Sequence, residues 1–446
     1  QELAAEAGVG VDAGDDAAAA DAALTLDLAA RQRQRMDERG LRTLFDDIEM
    51  PLVAVLADME RAGVLLDVVR LGEIAARVRD QVDELRDRIW AEAGEEFVID
   101  SPKQLGHILF EVLGLPTFRK GKTGYSTDRQ VLKLLEPKHP IIGLIGQYRE
   151  LTKLDNTYLA ALPVLVGDDG RLHTTFNQAV AETGRLSSTN PNLQNIPIRT
   201  PLGRRIRHAF VAGSPDTTLV AADYSQIELR ILAHVSGDEH LRDAFAREAD
   251  IHRETAARVL RKAPEDVTGD ERSMAKMVNF GLAYGMSDFG LASRAGISRA
   301  DAQEFVNSYF AAYGGISRYM LHIRETAAEQ GYVATLLGRK RQIPELTSAN
   351  RALRAAGERM AINMPIQGTA ADIVKIAMIR MDRALRDGGF RARLLLSVHD
   401  ELLLEAPRDE VDRLVADGFD PVLLDLPAHG RSGGWRSTRR ATPPRR

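Results

Sequence analysis

The stretch TLVAADYSQIELR, residues 218–230, changes its period halfway along. Residues 218–223 form a short apolar run that reads as a strand, and from Ile227 the apolar residues of IELRILAHVSG recur at helical spacing. The strand therefore ends on a carboxylate, Asp223. An acid in that place serves equally as a helix N-cap or as a ligand to a cation. A second stretch weighs against the cap. RARLLLSVHDELLLEA (391–406) has two apolar runs parted by His399, Asp400 and Glu401, which is a hairpin with acids at its tip. An unpaired buried carboxylate is prohibitively costly, so Asp400 must face solvent or a cation. Two strand-end carboxylates from distant parts of a chain suit a pair of Mg²⁺ ions, which take hard oxygen ligands and complete their shells from water and substrate phosphates. Two such ions about 3.5–4 Å apart can activate an attacking hydroxyl and stabilise a leaving oxygen. That Asp223 and Asp400 meet is an expectation for the fold to test.

Further stretches extend the chemistry outward. ERSMAKMVNFGLAYGM (271–286) sets Arg272, Lys276, Phe280 and Tyr284 at steps of four, so all four share one broad helix face. Such a face could hold a triphosphate at its cationic end and stack a base or sugar on its aromatics. A buried aromatic stripe would explain Phe280 and Tyr284 but not two cations beside them. Gly281 and Gly285 weaken a helix by about 1 kcal/mol each, which close approach of a ligand would explain. ETGRLSSTNPNLQNIPIRTPLGRRIR (182–207) is dense in donors to phosphates and minor-groove acceptors, though its composition also fits a long polar loop. NMPIQGTAADIVKIAM starts an amphipathic helix at Asn363, with Gln367 one turn on.

Around these motifs the chain is ordinary. Its 446 residues are 44% hydrophobic and 28% charged, with a net charge of −5, and suggest about three domains and a large core. No apolar run reaches the ~18 residues of a membrane helix, and the first residues lack the basic and apolar regions of a signal peptide. Zero cysteines exclude disulfides, thiolate zinc sites and thiol catalysis, and the ten histidines show no HExxH spacing. A reducing, cytoplasmic setting fits. The near-neutral sum hides local bias: residues 1–30 hold seven acids and no base, 199–207 four Arg and no acid, and 339–359 six bases against Glu345 and Glu358. An acidic protein can thus still offer a basic channel to nucleic acid.

Residues 1–23 read as an Ala/Asp/Gly-rich linker, and 41–88 as helical throughout. Ser101-Pro102 opens another helix by the N-cap and N1 rule. The loop 118–127 is basic and Gly-rich, with helices on to about Leu162. Residues 172–176 read as a strand, and 241–330 return to helices. No internal repeat is present.

DYSQIELR, the Arg-Lys-Phe-Tyr helix ending in YGM, TGRLSS-x-NPNLQNIP, MPIQGTAAD and VHDE occur in this order. Together, from about Leu44 to about Pro407, they resemble the polymerase domain of the bacterial DNA polymerase I family, family A. The resemblance implies an α+β right-hand fold with an antiparallel-sheet palm, helical fingers and a helical thumb. It implies a linker and remnant of an upstream exonuclease-like region over 1–43, a thumb over 44–165, palm over 166–238 and 350–412, fingers over 239–349, and an atypical tail over 413–446. It implies a DNA-templated polymerase that extends a primer 3′-hydroxyl with dNTPs and releases pyrophosphate, using two Mg²⁺ ions for which Mn²⁺ can substitute. Asp223 and Asp400 would ligate the metals, with the Tyr224 carbonyl assisting and Glu401 nearby. Arg272, Lys276 and His252 would grip the triphosphate, and Gln226, Phe280 and Tyr284 would form the nucleotide pocket. Glu228 would block a ribose 2′-hydroxyl. Arg185, Asn192, Gln194, Asn195, Asn363, Gln367 and His399 would follow the primer–template minor groove, and Lys153 would reach DNA from the thumb. The setting implied is a monomer in the bacterial cytoplasm, at the nucleoid, in replication and repair.

Two departures accompany the match. Family members carry an exonuclease domain before this region, and residues 1–43 are too short for one, so the chain is expected to lack proofreading. After the VHDE hairpin the family pattern calls for a helix and a terminal strand; here the text after Pro427 holds six Arg and no acid. Only 10 of 59 basic residues are Lys, the mark of a GC-rich gene, and Arg/Pro/Gly-rich text is what such a gene yields out of frame. The tail is therefore expected to be frameshifted and poorly ordered, leaving an open sheet edge beside Asp400. Its alternative is a DNA-binding extension. Two rival functions follow: a single-subunit RNA polymerase, which Glu228 and the NPNLQNIP segment oppose, and a DNA-binding remnant impaired by its C-terminus.

Overall fold

The structure, a computed structural model, describes residues 17–121, 124–198, 200–418 and 435–438. The chain divides into two compact units. The smaller comprises residues 62–175 and 188–218, with the C-terminal 442–446 outside the described residues. Its core is helical: Val68–Ala93 packs on Pro140–Leu154 through Leu85, Ile89, Ile141 and Ile145, and Leu105, Ile108 and Leu109 fill in from Pro102–His107 and the turn after it. Ser101 caps Pro102–His107 by accepting from the Gln104 amide, as its sequence signature requires. The unit also holds a small antiparallel sheet with Val64–Leu66 between Arg171–Leu172 and Phe210–Val211.

The larger unit, residues 1–61, 176–187 and 219–441, carries the main sheet. Its strands run in the order Arg393–Val398, Glu401–Pro407, Thr217–Tyr224, Trp435–Thr438. Burial along Thr217–Tyr224 alternates strictly, with Thr218, Val220 and Ala222 inward, so Asp223 emerges on the open face. Seven helices follow from Ile227–Ser236 to Gly314–Gln330, then the long helix Arg351–Asp387. They share one core that includes Ile231, Leu232, Val278, Tyr309, Ile316, Ile362 and Ile366. Among the described residues no helix is long and apolar enough to cross a membrane.

A buried ion network ties three segments of this unit. Glu49 accepts from Lys375 at 2.7 Å, from Arg339, and from Gln178 at 2.8 Å. Arg339 also donates to Asp372 at 2.7 Å, which accepts from Thr335 as well. Lys375 and Asp372 are 1% and 0% exposed, so neither can be left alone without heavy desolvation cost. Burial would raise the Glu49 carboxyl, but Lys375 and Arg339 outweigh it and hold it below the ordinary value.

Several expectations need correction. The helical reading of 41–88 is broken by the strand Val64–Leu66; Asp67, which accepts from the Arg70 amide, caps the helix that resumes. Residues 172–176 divide between Arg171–Leu172 and Thr175–Asn177. The linker 1–23 becomes helical at Ala17, in Ala17–Glu38. The loop 118–127 contains the paired strands Lys120–Gly121 and Gly124–Tyr125. Asn363 and Gln367 lie mid-way along a 37-residue helix, which runs through Pro365 because tertiary burial outweighs the lost hydrogen bond. Of the tail, residues 419–434 and 439–446 lie outside the described residues. Trp435–Thr438 pairs antiparallel with Thr217–Tyr224, Trp435 opposite Tyr224 and Arg436 opposite Asp223, so the expected open edge is covered. A ladder needs only backbone donors and acceptors, which is why apolar alternation did not reveal this strand.

Candidate active site

The end of strand Thr217–Tyr224 and the tip of the hairpin converge. The Tyr224 amide donates to the Asp400 carbonyl at 3.2 Å. Val398 pairs with Glu401, so His399 and Asp400 form a two-residue turn, and His399 takes the positive φ of 57° that such turns demand. On the other side Gln226, at φ 56°, turns the chain into helix Ile227–Ser236 without a side-chain cap. Asp223 is not that helix's cap residue.

Charge is crowded here. The surrounding protein, then Asp400 and Glu401, push the Asp223 carboxyl up to about 6 although the residue is exposed. Burial raises Asp400 too, against the pull of Arg185 and His399. Carboxylates held together with raised proton affinity are short of positive charge. Among the described residues no three His, Asp or Glu side chains form a closed metal cage. The set on offer is Asp223, Asp400 and the Tyr224 carbonyl, with Glu401 beside them. Hard oxygens that leave coordination positions open fit a divalent cation that keeps its waters.

Glu228, on the first turn of helix Ile227–Ser236, is mostly buried and bonds Arg185 at 2.6 Å. Burial raises its carboxyl and Arg185 opposes that rise. Sequence reading gave the two residues separate roles; the structure makes them one pair.

Helix Gly269–Ala283 starts with a capping box between Thr268 and Glu271. Arg272 bonds Asp250 at 2.6 Å, Lys276 is exposed, and Phe280 lies 5.8 Å from the His252 ring. Tyr284 is the C-cap residue, its hydroxyl buried without a partner. The glycines have a local reason rather than the expected ligand: a Cβ on Gly281 would meet Met286 at 1.8 Å, and Gly285 takes a φ of 72°. His252 is 3% exposed, and burial lowers it to about 4 against the pull of Asp250. It is therefore uncharged at neutral pH, so any grip it has on a phosphate is that of a neutral donor.

A stability effect follows. The unfolded chain protonates this histidine near its ordinary 6.5, the folded one near 4. Its contribution is complete above about 6.5 and lost as pH falls toward 4, about 3 kcal/mol at 1.36 kcal/mol per unit. A urea-melt series over that range should show a steeper loss for the parent than for His252→Gln; parallel curves would refute it.

Between Ala361 and Lys375 every residue is buried except Asn363 and Gln367, one turn apart and both partly open. The Asn363 Oδ1 has no partner. In the smaller unit Lys153, Asn192 and Asn195 line a cavity of about 520 Å³ with Tyr158, whose hydroxyl donates to the Asn195 carbonyl. Asn192 also caps the turn Leu193–Asn195, accepting from the Gln194 amide at 3.0 Å. Sequence reasoning missed Asn279 and Thr255, buried polar neighbours of His252 that no motif singled out.

Comparison with known proteins gives the family. The family model described as DNA polymerase family A matches residues 68–418. DNA polymerase I of Geobacillus stearothermophilus is 51% identical over 372 residues, 83% of this chain and 42% of that protein. DNA polymerase I of Pseudomonas aeruginosa is 49% identical over 419 residues, 92% of this chain and 46% of that protein. The chain thus spans less than half the length of these relatives. The solved polymerase domain of Pol1 from M. smegmatis, in complex with DNA primer-template and dNTP, superposes with a TM-score of 0.86 at 43% identity, covering 90% of this chain and 71% of that one. The α+β class expected from the sequence is the class of that domain. By the extent of these matches, which span most of the chain, it belongs to DNA polymerase family A.

Proposed function

We propose that this chain adds deoxynucleotides to a primer 3′-hydroxyl on a DNA template, with pyrophosphate as the leaving group. The observation that carries the reading is the meeting of Asp223 and Asp400, two carboxylates of raised proton affinity joined through the Tyr224–Asp400 backbone bond. Asp223, Asp400 and the Tyr224 carbonyl would hold two Mg²⁺ ions, or Mn²⁺ in their place. Those ions, when bound, supply charge stabilisation to attacking and leaving oxygens. The chain's own residues do the rest. Arg272 and Lys276 bind the triphosphate as cations, and His252 as a neutral donor. Phe280, Tyr284 and Gln226 enclose the sugar and base. Glu228, held by Arg185, fills the space a 2′-hydroxyl would need. Asn363, Gln367, Arg185 and His399 in the larger unit, and Lys153, Asn192, Gln194 and Asn195 in the smaller, donate to DNA. We assign the thumb to 44–165, palm to 166–238 and 350–412, and fingers to 239–349.

Primer extension with dNTPs, compared with rNTPs and with a gel-shift control, tests the reading. Extension with dNTPs supports it; preference for rNTPs favours an RNA polymerase; binding without extension favours the impaired remnant. Glu228→Ala should raise ribonucleotide incorporation about tenfold by opening space for the hydroxyl. Unchanged discrimination would take Glu228 out of the pocket.

A further inference from the structure

A chain of buried polar groups runs behind His252. The Tyr313 hydroxyl lies 3.0 Å from Thr255 Oγ1, and Thr255 Oγ1 lies 2.8 Å from the Ile251 carbonyl. Asn279 Nδ2 lies 3.0 Å from the same Thr255 oxygen and 3.1 Å from His252 Nδ1. Thr255, Asn279, Tyr313 and His252 are all at most 3% exposed, so water is not available to correct a wrong pairing.

Proton counting orients the chain. Thr255 has one hydroxyl proton and two carbonyl acceptors in reach, Ile251 at 2.8 Å and Asn279 Oδ1 at 3.1 Å, and gives it to one of them. Its oxygen then accepts from Tyr313 and from Asn279 Nδ2, the end of the amide that also lies toward the histidine. That NH2 also faces His252 Nδ1, which can only accept. A neutral imidazole that accepts at Nδ1 carries its proton on Nε2. Among the described residues nothing bonds to Nε2.

We infer that Tyr313, Thr255 and Asn279 are positioning residues that fix His252 in the Nε2–H tautomer, a neutral donor for the phosphates of the incoming nucleotide. The inference rests on the nucleotide-gripping role proposed above. The charged groups facing this ring are Asp250 at the start of its own helix, and Arg272 and Lys276 on helix Gly269–Ala283. A histidine held neutral and proton-out adds a directed donor without crowding those two cations.

Histidine-selective ¹⁵N labelling tests the tautomer directly, with the His252 signals assigned by their loss in His252→Gln. The result expected at pH 7.5 is an Nδ1 without a proton and an Nε2 with one; a proton on Nδ1 overturns the inference whatever the enzyme's activity. In Asn279→Asp the carboxylate should draw the proton to Nδ1 and raise the titration midpoint by more than one unit, while Thr255→Val should give mixed tautomers and Thr255→Ser should restore a single one. Should Asn279→Asp destabilise the fold, the Thr255 pair still decides. In single-nucleotide addition Thr255→Val should raise the dNTP KM about tenfold with little change in kcat. An unchanged KM beside a correct tautomer would refute the phosphate role while leaving the tautomer assignment standing.

Discussion

Replacing Asp223 or Asp400 by alanine is expected to cut nucleotide addition by at least about 10³-fold while leaving DNA affinity within a few-fold. The ions these carboxylates would hold contribute several kcal/mol to the transition state, and each 1.36 kcal/mol is a factor of ten. Duplex affinity depends instead on cations and amides that meet the phosphates and groove edges, and neither aspartate is among them. Removing a negative charge would if anything favour DNA. The measurement is single-turnover extension beside a binding titration at fixed salt. An equal loss of both would mean that the residues shape the strand end and the turn. The absence of a side-chain cap on helix Ile227–Ser236 already argues against that for Asp223.

The second large effect is on stability. Glu49→Ala should lower the melting temperature by several degrees, because it leaves Lys375 and Arg339 without the carboxylate that both of them bond. Breaking a buried pair from one side typically costs about 3–5 kcal/mol. The paired change Glu49→Met with Lys375→Met should recover part of the loss, since it removes the stranded charge along with its partner and leaves Arg339 on Asp372. Thermal melts of the single and double variants decide this. A double variant no more stable than Glu49→Ala would mean that packing around Glu49, rather than charge, sets the cost.

The contrast between these two cases shows what was legible. Asp223 and Asp400 each sit where a local apolar run stops, so period and polarity placed them at strand ends, and the five motifs in order carried the family resemblance from which the rest of the site is proposed. Glu49 and Lys375 are 326 residues apart, and nothing in either neighbourhood signals a partner. The Arg185–Glu228 pair hid for the same reason: each residue had a plausible role alone. The long helix read as starting at Asn363, and only the tertiary burial around Pro365 lets Arg351–Asp387 run through. The strand Trp435–Thr438 pairs through backbone groups, which composition does not encode.

The long helix has a further consequence. Its 37 residues span about 55 Å at 1.5 Å per residue, and its middle is buried on nearly every side. Amide protons there can reach solvent only when the surrounding unit opens as a whole, whereas those at its ends exchange through fraying. Deuterium uptake between Asn363 and Lys375 therefore works as a clock set by global opening. A substitution that loosens the unit makes that clock run fast, and one that damages only the chemistry leaves it unchanged.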